Sequence, residues 1–219
     1  MHRQIQMKDK SISGDSYVKV LPPGGELIYI HDFIDNSRAG ELFSTLIDEP
    51  FWESRSITMF GKKLMQPRMI AFQGDYGVSY AYSGDRYQAE PWHEDLHALK
   101  GEIEQRADCR FNSVLLNLYR DGRDSMGWHS DDEAELGSCP TIASVSLGAE
   151  RRFILRSKAD KQKKLKIEPA SGSLIIMRGD LQHYWQHALP GTTRCVHPRI
   201  NLTFRQIVRP RRPQVNRKS

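Results

Sequence analysis

The 219-residue sequence predicts a mainly β (α+β) protein, a sandwich or jelly roll with two helices packed outside it. The first observation is that the chain from about residue 111 onward breaks into short β-like runs separated by Gly, Pro and Asp. The second is that no helical periodicity lies between these runs. The runs are "NSVLLNLY", "TIASVSLG", "RRFILRS", "KKLKIEP", "GSLIIMRG" and "RINLTFRQIV".

Two amphipathic helices are predicted before the strands. The first lies in "DFIDNSRAGELFSTLIDEP", where capping residues occupy positions 35–37 and Pro50 ends the pattern. Its apolar positions repeat at helical spacing: Leu42, Phe43, Leu46 and Ile47. The second helix is predicted to begin at Pro91, and its apolar positions are Leu96, Leu99 and Ile103.

The chain is long enough for one domain with extensions at both ends. Residues 1–24 are polar and end in "PPGG", which predicts a flexible arm; residues 25–208 form the domain; and residues 209–219 form a basic tail. That tail carries five basic residues and no acid, so the rest of the chain is formally neutral despite a net charge of +5. Charge alone therefore does not separate a nucleic-acid partner from a solubilising extension.

Composition excludes several other classes. The sequence is 38% hydrophobic and 27% charged, and no apolar run approaches the roughly 18 residues that cross a bilayer. The first residues lack the apolar segment of a secretory signal. Three widely spaced cysteines, Cys109, Cys139 and Cys195, indicate neither a disulfide framework nor a CxxC metal site. We expect an intracellular monomer without a membrane partner, cytoplasmic in a bacterium and nuclear in a eukaryote.

Polar side chains share a face on two of the predicted strands. Because side chains alternate along a strand, Asn117 and Tyr119 point the same way as Leu115. The last strand carries a wholly polar face: Arg199, Asn201, Thr203 and Arg205. A solvent-facing edge strand has the same pattern, so the polar row alone does not identify a site.

The stretch "GWHSDDE" sets His129 and Asp131 two residues apart, so that both side chains can project the same way from an extended segment. A second histidine would complete the two-histidine, one-carboxylate triad that leaves open positions on Fe(II). The histidines that qualify as this third ligand are His183, His187 and His197. An HxD pair by itself is a weak signal, and a structural or solvated role stays open.

The ordered set "NLYRDG", "HSDDE", "HALP" and "PRINLTFR" resembles the AlkB family of Fe(II)- and 2-oxoglutarate-dependent dioxygenases over roughly residues 54–208. The resemblance implies a double-stranded β-helix (jelly roll), with Fe(II) and 2-oxoglutarate as cofactors and O2 as cosubstrate. The iron ligands it implies are His129, Asp131 and His187. The 2-oxoglutarate residues it implies are Asn117, Tyr119, Arg199, Asn201, Thr203 and Arg205.

A dicarboxylate suits this set because arginine grips carboxylates with two parallel hydrogen bonds, which lysine cannot do. The two arginine Cα atoms are about 20 Å apart along a strand, so their side chains must lean toward each other. We place Arg199 with Tyr119 at the distal carboxylate and Arg205 nearer the metal.

Residues 54–90 resemble the nucleotide-recognition lid of the family, and "MFGK", "QPR" and "YAYSG" resemble the branch that repairs alkylated bases in duplex DNA. The resemblance implies that Phe60 fills the gap left by a flipped base and that Tyr82 stacks on that base. The full set of implied substrate residues is Phe60, Gly61, Lys62, Arg68, Tyr80, Tyr82, Asp132 and Glu133. Within it, Tyr80 and Asp132 contact the edge of the base and Arg68 a phosphate.

The implied activity is oxidative demethylation of 1-methyladenine and 3-methylcytosine in DNA, coupled to decarboxylation of 2-oxoglutarate, with formaldehyde and succinate released. A related dioxygenase acting on RNA, protein or lipid would keep the iron and cosubstrate residues but would not need Phe60. A non-enzymatic jelly-roll binding module would need neither the triad nor both arginines. The sequence departs from the duplex-repair branch at Tyr82, where phenylalanine is usual, and in its short, lysine-rich connection at residues 157–169.

Local alternatives also stay open. Phe60 could be a hairpin residue packed on the core, and Tyr80 and Tyr82 an aromatic core pair. Asp132 could orient a metal ligand, and Glu133 could hold a neighbouring cation. The lysines of the connection could grip a phosphate backbone or belong to a solvated loop.

Overall fold

The computed structural model describes residues 9–13, 16–59, 62–82, 85–194 and 196–208. Within them, residues 9–13, 57–59, 62–63, 80–82 and 85–87 are described by their backbone alone. The helices are α1 (Asn36–Ile47), α2 (Glu94–Ala107) and α3 (Leu181–Tyr184). The strands are β1 (Asp9–Ser13), β2 (Ser16–Leu21), β3 (Gly25–Ile30), β4 (Ser56–Met59), β5 (Lys62–Met65), β6 (Met69–Gly74), β7 (Ser79–Tyr82), β8 (Asp85–Gln88), β9 (Ser113–Tyr119), β10 (Met126–His129), β11 (Ile142–Gly148), β12 (Phe153–Ser157), β13 (Lys164–Ile167), β14 (Leu174–Gly179), β15 (Trp185–Leu189) and β16 (Arg199–Arg205).

Two antiparallel sheets form the body of the protein. The major sheet has the strand order β1-β2-β3-β14-β11-β16-β9-β6, and the minor sheet has the order β10-β15-β12-β13. Two further hairpins, β4-β5 and β7-β8, lie within the segment predicted to be the lid. This architecture confirms the predicted mainly β, jelly-roll class.

The major sheet carries buried apolar side chains on both faces because each of its faces is covered. One face packs against α1 and α2 in a core that includes Leu46, Leu99 and Phe204. The other face packs against the minor sheet in a second core that includes Leu115 and Trp185. The alternation of side chains along each strand thus sorts residues between two cores, rather than between a core and solvent.

The polar row of β16 lies on the face toward the minor sheet, since its apolar alternates belong to the helix-side core. Three of its four residues are buried, with Arg199 2% exposed, Thr203 8% and Arg205 4%, and Asn201 is partly buried. The solvent-facing explanation of this row is therefore wrong. The row instead lies between two sheets.

The helix α1 follows the prediction closely. It begins after Asp35, whose side chain accepts a hydrogen bond from the backbone N–H of Arg38 at 2.9 Å. The helix α2 begins at Glu94, three residues later than predicted. The reason is that Glu90 pairs with strand β6, and the backbone N–H of His93 donates to the Gln73 side chain at 2.8 Å, which keeps this stretch extended.

The N-terminal segment differs from the predicted flexible arm. Strand β2 pairs with β3, and β3 pairs with β14, so residues 16–24 lead into the major sheet. Leu21 is fully buried in the second core. The period-two pattern of "SYVKVL" carries this strand signal, which the turn-like "PPGG" that follows obscures. Among the described residues, no helix combines the length and the apolar character needed to cross a membrane.

Candidate metal and cosubstrate site

Three predicted metal ligands come together at the end of the minor sheet. His129 and His187 lie directly opposite each other on the paired strands β10 and β15. Asp131 follows His129 by two residues. One donor atom from each of these residues lies within 4.8 Å of the others. Of the three histidines considered for the third position, the structure brings His187 to the pair, whereas His183 lies in α3.

Hydrogen bonds orient the donor atoms. The Nδ1 atom of His129 lies 2.9 Å from the carbonyl oxygen of Gly127. Because a carbonyl only accepts, Nδ1 carries the proton and Nε2 is left to coordinate a metal. Arg205 Nη2 donates to Asp131 Oδ1 at 2.6 Å, while Asp131 Oδ2 lies 3.5 Å from His187 Nε2. One carboxylate oxygen is thus held by the arginine and the other faces the histidines.

The short helix α3 adds a second support for Asp131. Gln182 is 1% exposed, and its side-chain oxygen accepts the backbone N–H of Asp131 at 3.0 Å. The adjacent Ser130 hydroxyl donates to the carbonyl of Trp185 at 3.0 Å. The loop that carries the carboxylate is therefore fixed from both sides.

The protonation states suit metal binding. Burial opposes the ionisation of Asp131, but Arg205 and the two site histidines outweigh it and lower the pKa of this carboxyl from 3.8 to about 2. Burial lowers the pKa of His187 from 6.5 to about 3, with His129 and Arg205 adding to the effect. Burial also lowers the pKa of His129. At neutral pH the cluster therefore offers two neutral imidazoles and one carboxylate.

The cosubstrate residues that the family resemblance implies share one face of the major sheet, as the alternation along their strands predicts. In the register of β16 against β9, Arg199 lies opposite Tyr119 and Asn201 lies opposite Asn117. Asn201 donates to the Thr203 hydroxyl at 2.8 Å. One pocket is lined by His129, Asp131 and His187 together with Asn117, Tyr119, Asn201, Thr203 and Arg205, and its wall is completed by Leu115, Met126, Ser144, Phe153, Met177, Ala188 and Leu189. Arg199 adjoins this pocket through its hydrogen bond to Asn201.

Arg199 is the unusual group on this face. Its Nη2 donates to Ser146 Oγ at 2.9 Å and to Asn201 Oδ1 at 2.8 Å, but its buried Nε and Nη1 have no hydrogen-bond partner. No carboxylate pairs with it among the described residues. Burial lowers its pKa from 12.5 to about 10, so it stays cationic at neutral pH. A buried, uncompensated guanidinium is costly unless an anion binds it.

The position of Arg199 fits the distal carboxylate of a dicarboxylate. Its guanidinium carbon lies 5.5 Å from the centre of the Tyr119 ring. Arg205 is instead bonded to the carboxylate of Asp131, a predicted metal ligand. The division of roles, with Arg199 at the distal carboxylate and Arg205 nearer the metal, stays a prediction.

The structure describes only part of the predicted substrate set. Phe60 and Gly61 lie outside the described residues, and the side chains of Lys62, Tyr80 and Tyr82 are likewise outside the description. Their predicted roles stay predictions.

The described members of that set fall in two places. Asp132 is exposed and pairs with Lys158, whose Nζ lies 3.0 Å from Oδ2. Glu133, partly buried, precedes the 3-10 helix Ala134–Leu136. Arg68 is 4% exposed, and its Nε donates to Asn117 Oδ1 at 2.7 Å. The predicted phosphate contact of Arg68 does not agree with this burial, which places the side chain beside the cosubstrate face.

Sequence reasoning missed three residues that support the site. Ser144 and Ser146 lie on the same face of β11 and bond Asn201 and Arg199, respectively. The alternation in "TIASVSLG" carried that signal, because it puts two polar side chains on one face of an apolar strand. Gln182 had no comparable signal, since its contact with Asp131 spans 51 residues.

Comparisons with known proteins agree with this geometry. The sequence profile described as "2OG-Fe(II) oxygenase superfamily" matches residues 26–205. The chain is 40% identical over 184 residues to alpha-ketoglutarate-dependent dioxygenase alkB homolog 3 of Bos taurus, covering 80% of this chain and 64% of the relative. It is 36% identical over 182 residues to DNA oxidative demethylase ALKBH2 of Homo sapiens, covering 78% of this chain and 70% of the relative. The chain thus spans about two thirds of the length of these relatives.

A solved structure of a protein named OsALKBH1 shares the fold, with a TM-score of 0.60 and 18% identity over 86% of this chain and 99% of that one. Two neutral imidazoles and one carboxylate are the donor set that non-haem Fe(II) oxygenases use, and the unpaired guanidinium of Arg199 fits an oxoacid that carries a second carboxylate. The residues present therefore fit Fe(II) and 2-oxoglutarate, the two cofactors in the name of the family. The chain belongs to the 2OG-Fe(II) oxygenase superfamily, among its AlkB-type dioxygenases.

Proposed function

We propose that this protein oxidatively demethylates N-alkylated bases, 1-methyladenine and 3-methylcytosine, in DNA, with 2-oxoglutarate as cosubstrate. The observation that carries the proposal is the uncompensated buried cation of Arg199, which bonds Asn201 of the pocket that the His129, Asp131 and His187 cluster also lines. The two relatives named above, one an alpha-ketoglutarate-dependent dioxygenase and one a DNA oxidative demethylase, support the substrate class. The dioxygenase domain in this proposal comprises residues 25–208, with the lid at about 54–90, and also strand β2, which pairs with β3 and buries Leu21.

His129, Asp131 and His187 are the proposed Fe(II) ligands. Bound Fe(II) with 2-oxoglutarate and O2 supplies the oxidation of an N-methyl group, which leaves as formaldehyde while 2-oxoglutarate becomes succinate and CO2. The protein contributes positioning. Arg205 holds one oxygen of Asp131, and Gly127 fixes the tautomer of His129, so the ligands are set before the metal arrives.

The cosubstrate lies along the polar face of β16 and β9 in this proposal. Arg199 and Tyr119 bind the distal carboxylate, while Asn117, Asn201 and Thr203 line the middle of the pocket. Phe153 packs with its ring centre 5.3 Å from that of His187 and limits the space beside the metal ligands. An apolar wall here excludes water and other hydrogen donors from the oxidised position.

The substrate end of the proposal rests on charge at the mouth of the site. Asp132 suits a positively charged methylated base, since opposite charges attract and a bound base would shield this exposed carboxylate from solvent. In the substrate-free protein it pairs with Lys158, so a cationic base would compete for the same carboxylate. Lysines 161, 164 and 166 are exposed on the connection from β12 to β13 and its flanks, where they can meet a phosphate backbone.

A panel of methylated oligonucleotides tests the proposal. The protein is incubated with each oligonucleotide, Fe(II), 2-oxoglutarate and O2, and demethylated product is measured by mass. We expect loss of 14 mass units from oligonucleotides that carry 1-methyladenine or 3-methylcytosine, roughly the mass of one CH2 group, and no loss with His187→Ala. Demethylation of RNA alone would establish the RNA alternative. Turnover of 2-oxoglutarate without change in any DNA or RNA would reject a nucleic-acid substrate.

A further inference from the structure

A second group of metal-binding side chains shares no residue with the proposed iron site. One donor atom from each of Cys139, Asp180 and His183 lies within 4.8 Å of the others. Asp180 precedes α3 and His183 lies inside it, three positions later, so both side chains can face one side of the helix. Cys139 lies in the loop after the 3-10 helix Ala134–Leu136, and 41 residues separate it from Asp180 in the sequence.

We propose that Cys139, Asp180 and His183 bind one Zn²⁺ ion and that this ion is a structural clamp between the loop and α3. The three side chains already form a connected group. The Cys139 thiol donates to Asp180 Oδ1 at 3.3 Å, and His183 Nε2 contacts the carbonyl oxygen of Ser138. On binding, the ion displaces the thiol proton to solvent and no electrons are transferred.

The donor chemistry selects the ion. A thiolate with an imidazole is a soft set that Zn²⁺ prefers and that Mg²⁺ and Ca²⁺ do not. The proposed iron site contains no sulfur, so the two clusters differ in the ligand atom that spectroscopy reports most clearly. Cys139 and His183 are exposed, and an ion reaches them without opening the core.

Asp180 is held in place without an ionic partner. Its backbone N–H donates to the carbonyl of Gly24 at 3.1 Å. Its carboxylate rests against Gly24, where an added Cβ would lie 2.4 Å from Oδ2. No basic side chain forms an ion pair with Asp180 among the residues that the structure describes. A fixed carboxylate of this kind is free to take a cation.

The clamp would act on the iron site through one helix. Gln182, the residue before His183, accepts the backbone N–H of Asp131 at 3.0 Å. Lys158 donates to the carbonyl of Gln182 at 2.9 Å and also pairs with Asp132. An ion that ties α3 to the loop therefore steadies the support of a proposed iron ligand, although it contacts neither the iron nor the substrate.

Cobalt titration of the full metal-free chain tests this inference. Co²⁺ replaces Zn²⁺ at tetrahedral sites, and a cobalt–thiolate bond gives a charge-transfer band in the near ultraviolet that oxygen and nitrogen ligands do not give. We expect two bound equivalents of Co²⁺ and a sulfur band that reaches its maximum at one of them. Zn²⁺ should abolish the band and raise the melting temperature of the wild-type protein.

Matched variants assign the band. Cys139→Ser and His183→Gln should each remove the sulfur band and lower the bound Co²⁺ to one equivalent. Cys109→Ser, at the other described cysteine, should keep the band and both equivalents. His187→Ala should lose the Co²⁺ equivalent bound at the proposed iron site and keep the sulfur band. Failure of the proposed iron site and failure of this inference are therefore distinguishable. A wild-type protein without the band, or a band that survives Cys139→Ser, would overturn the proposal. Circular dichroism checks that each variant is folded. If Cys139→Ser does not fold, the loss or survival of the band in His183→Gln decides the test.

Discussion

Replacing Arg199 by methionine separates its role in cosubstrate binding from any role in stability. The guanidinium is buried, and its Nε and Nη1 have no hydrogen-bond partner in the cosubstrate-free protein. A hydrogen bond between charged groups contributes roughly 1.5–3 kcal/mol, and 1.4 kcal/mol is a factor of ten in affinity. We therefore expect Arg199→Met to weaken 2-oxoglutarate binding roughly ten- to hundredfold.

The same substitution should not lower the free energy of unfolding of the cosubstrate-free protein. Methionine fills a similar volume and removes a buried cation that has no counter-ion. Arg151 is the matched control, because it is 3% exposed and donates to the backbone carbonyls of Asp121, Asp124 and Pro190. Arg151→Met should therefore destabilise the fold, because three backbone carbonyls lose this donor and that of Asp124 is buried, and should change 2-oxoglutarate affinity little.

Calorimetric titration of 2-oxoglutarate into the Mn²⁺-loaded protein gives the affinities, and denaturant unfolding without cosubstrate gives the stabilities. Mn²⁺ replaces Fe²⁺ here so that no turnover occurs. Unchanged 2-oxoglutarate affinity in folded Arg199→Met would refute the assignment of this residue. An equal loss of affinity in both variants would show that the measurement follows fold stability instead.

Four further predictions concern the metal, the base and pH. His187→Ala should abolish turnover in folded protein and His183→Ala should not; the opposite result in an activity assay would move the iron ligand to α3. Phe60→Ala should depress demethylation of a methylated duplex far more than of the same lesion in a single strand, because a single strand has little stacking to replace; equal losses would assign Phe60 to lid support. Asp132→Asn should reduce the preference for charged over neutral adducts while metal content stays unchanged, and unaltered selectivity would contradict a base contact. Folding lowers the pKa of His187 from 6.5 to about 3, so between these pH values the metal-free unfolded chain binds a proton that the folded chain does not. The free energy of unfolding should therefore fall as the pH is lowered from 6.5 toward 3. His187→Gln should make the free energy of unfolding depend less on pH in this range.

Family resemblance implied the roles of the site residues, and the alternation of side chains predicted which of them share a face. It grouped Asn117 with Tyr119 and put Arg199 and Arg205 on one face, and the register of β9 against β16 brings these pairs together. It could not tell whether the face was buried or solvated, since both possibilities give the same local pattern. That answer depends on the minor sheet, which covers the face through contacts distant in sequence.

Other features depended on contacts that no local pattern records. Gln182 reaches Asp131 across 51 residues, so a short helix with no evident role in the sequence turns out to support a proposed metal ligand. The start of α2 shifted because Glu90 pairs with a neighbouring strand. Arg68 was expected to contact a phosphate, but its side chain is buried and donates to Asn117, 49 residues away in the sequence.

The coupling of 2-oxoglutarate decarboxylation to removal of the methyl group tests the central claim most directly. Succinate, formaldehyde and demethylated base are counted in one reaction with a 3-methylcytosine oligonucleotide, Fe²⁺ and limiting 2-oxoglutarate, alongside a His187→Ala control. We expect one succinate and one formaldehyde for each methyl group lost, and neither these products nor demethylated base from the His187→Ala control. Demethylation that continues without 2-oxoglutarate, or succinate that accumulates while every methyl group stays in place, would contradict it.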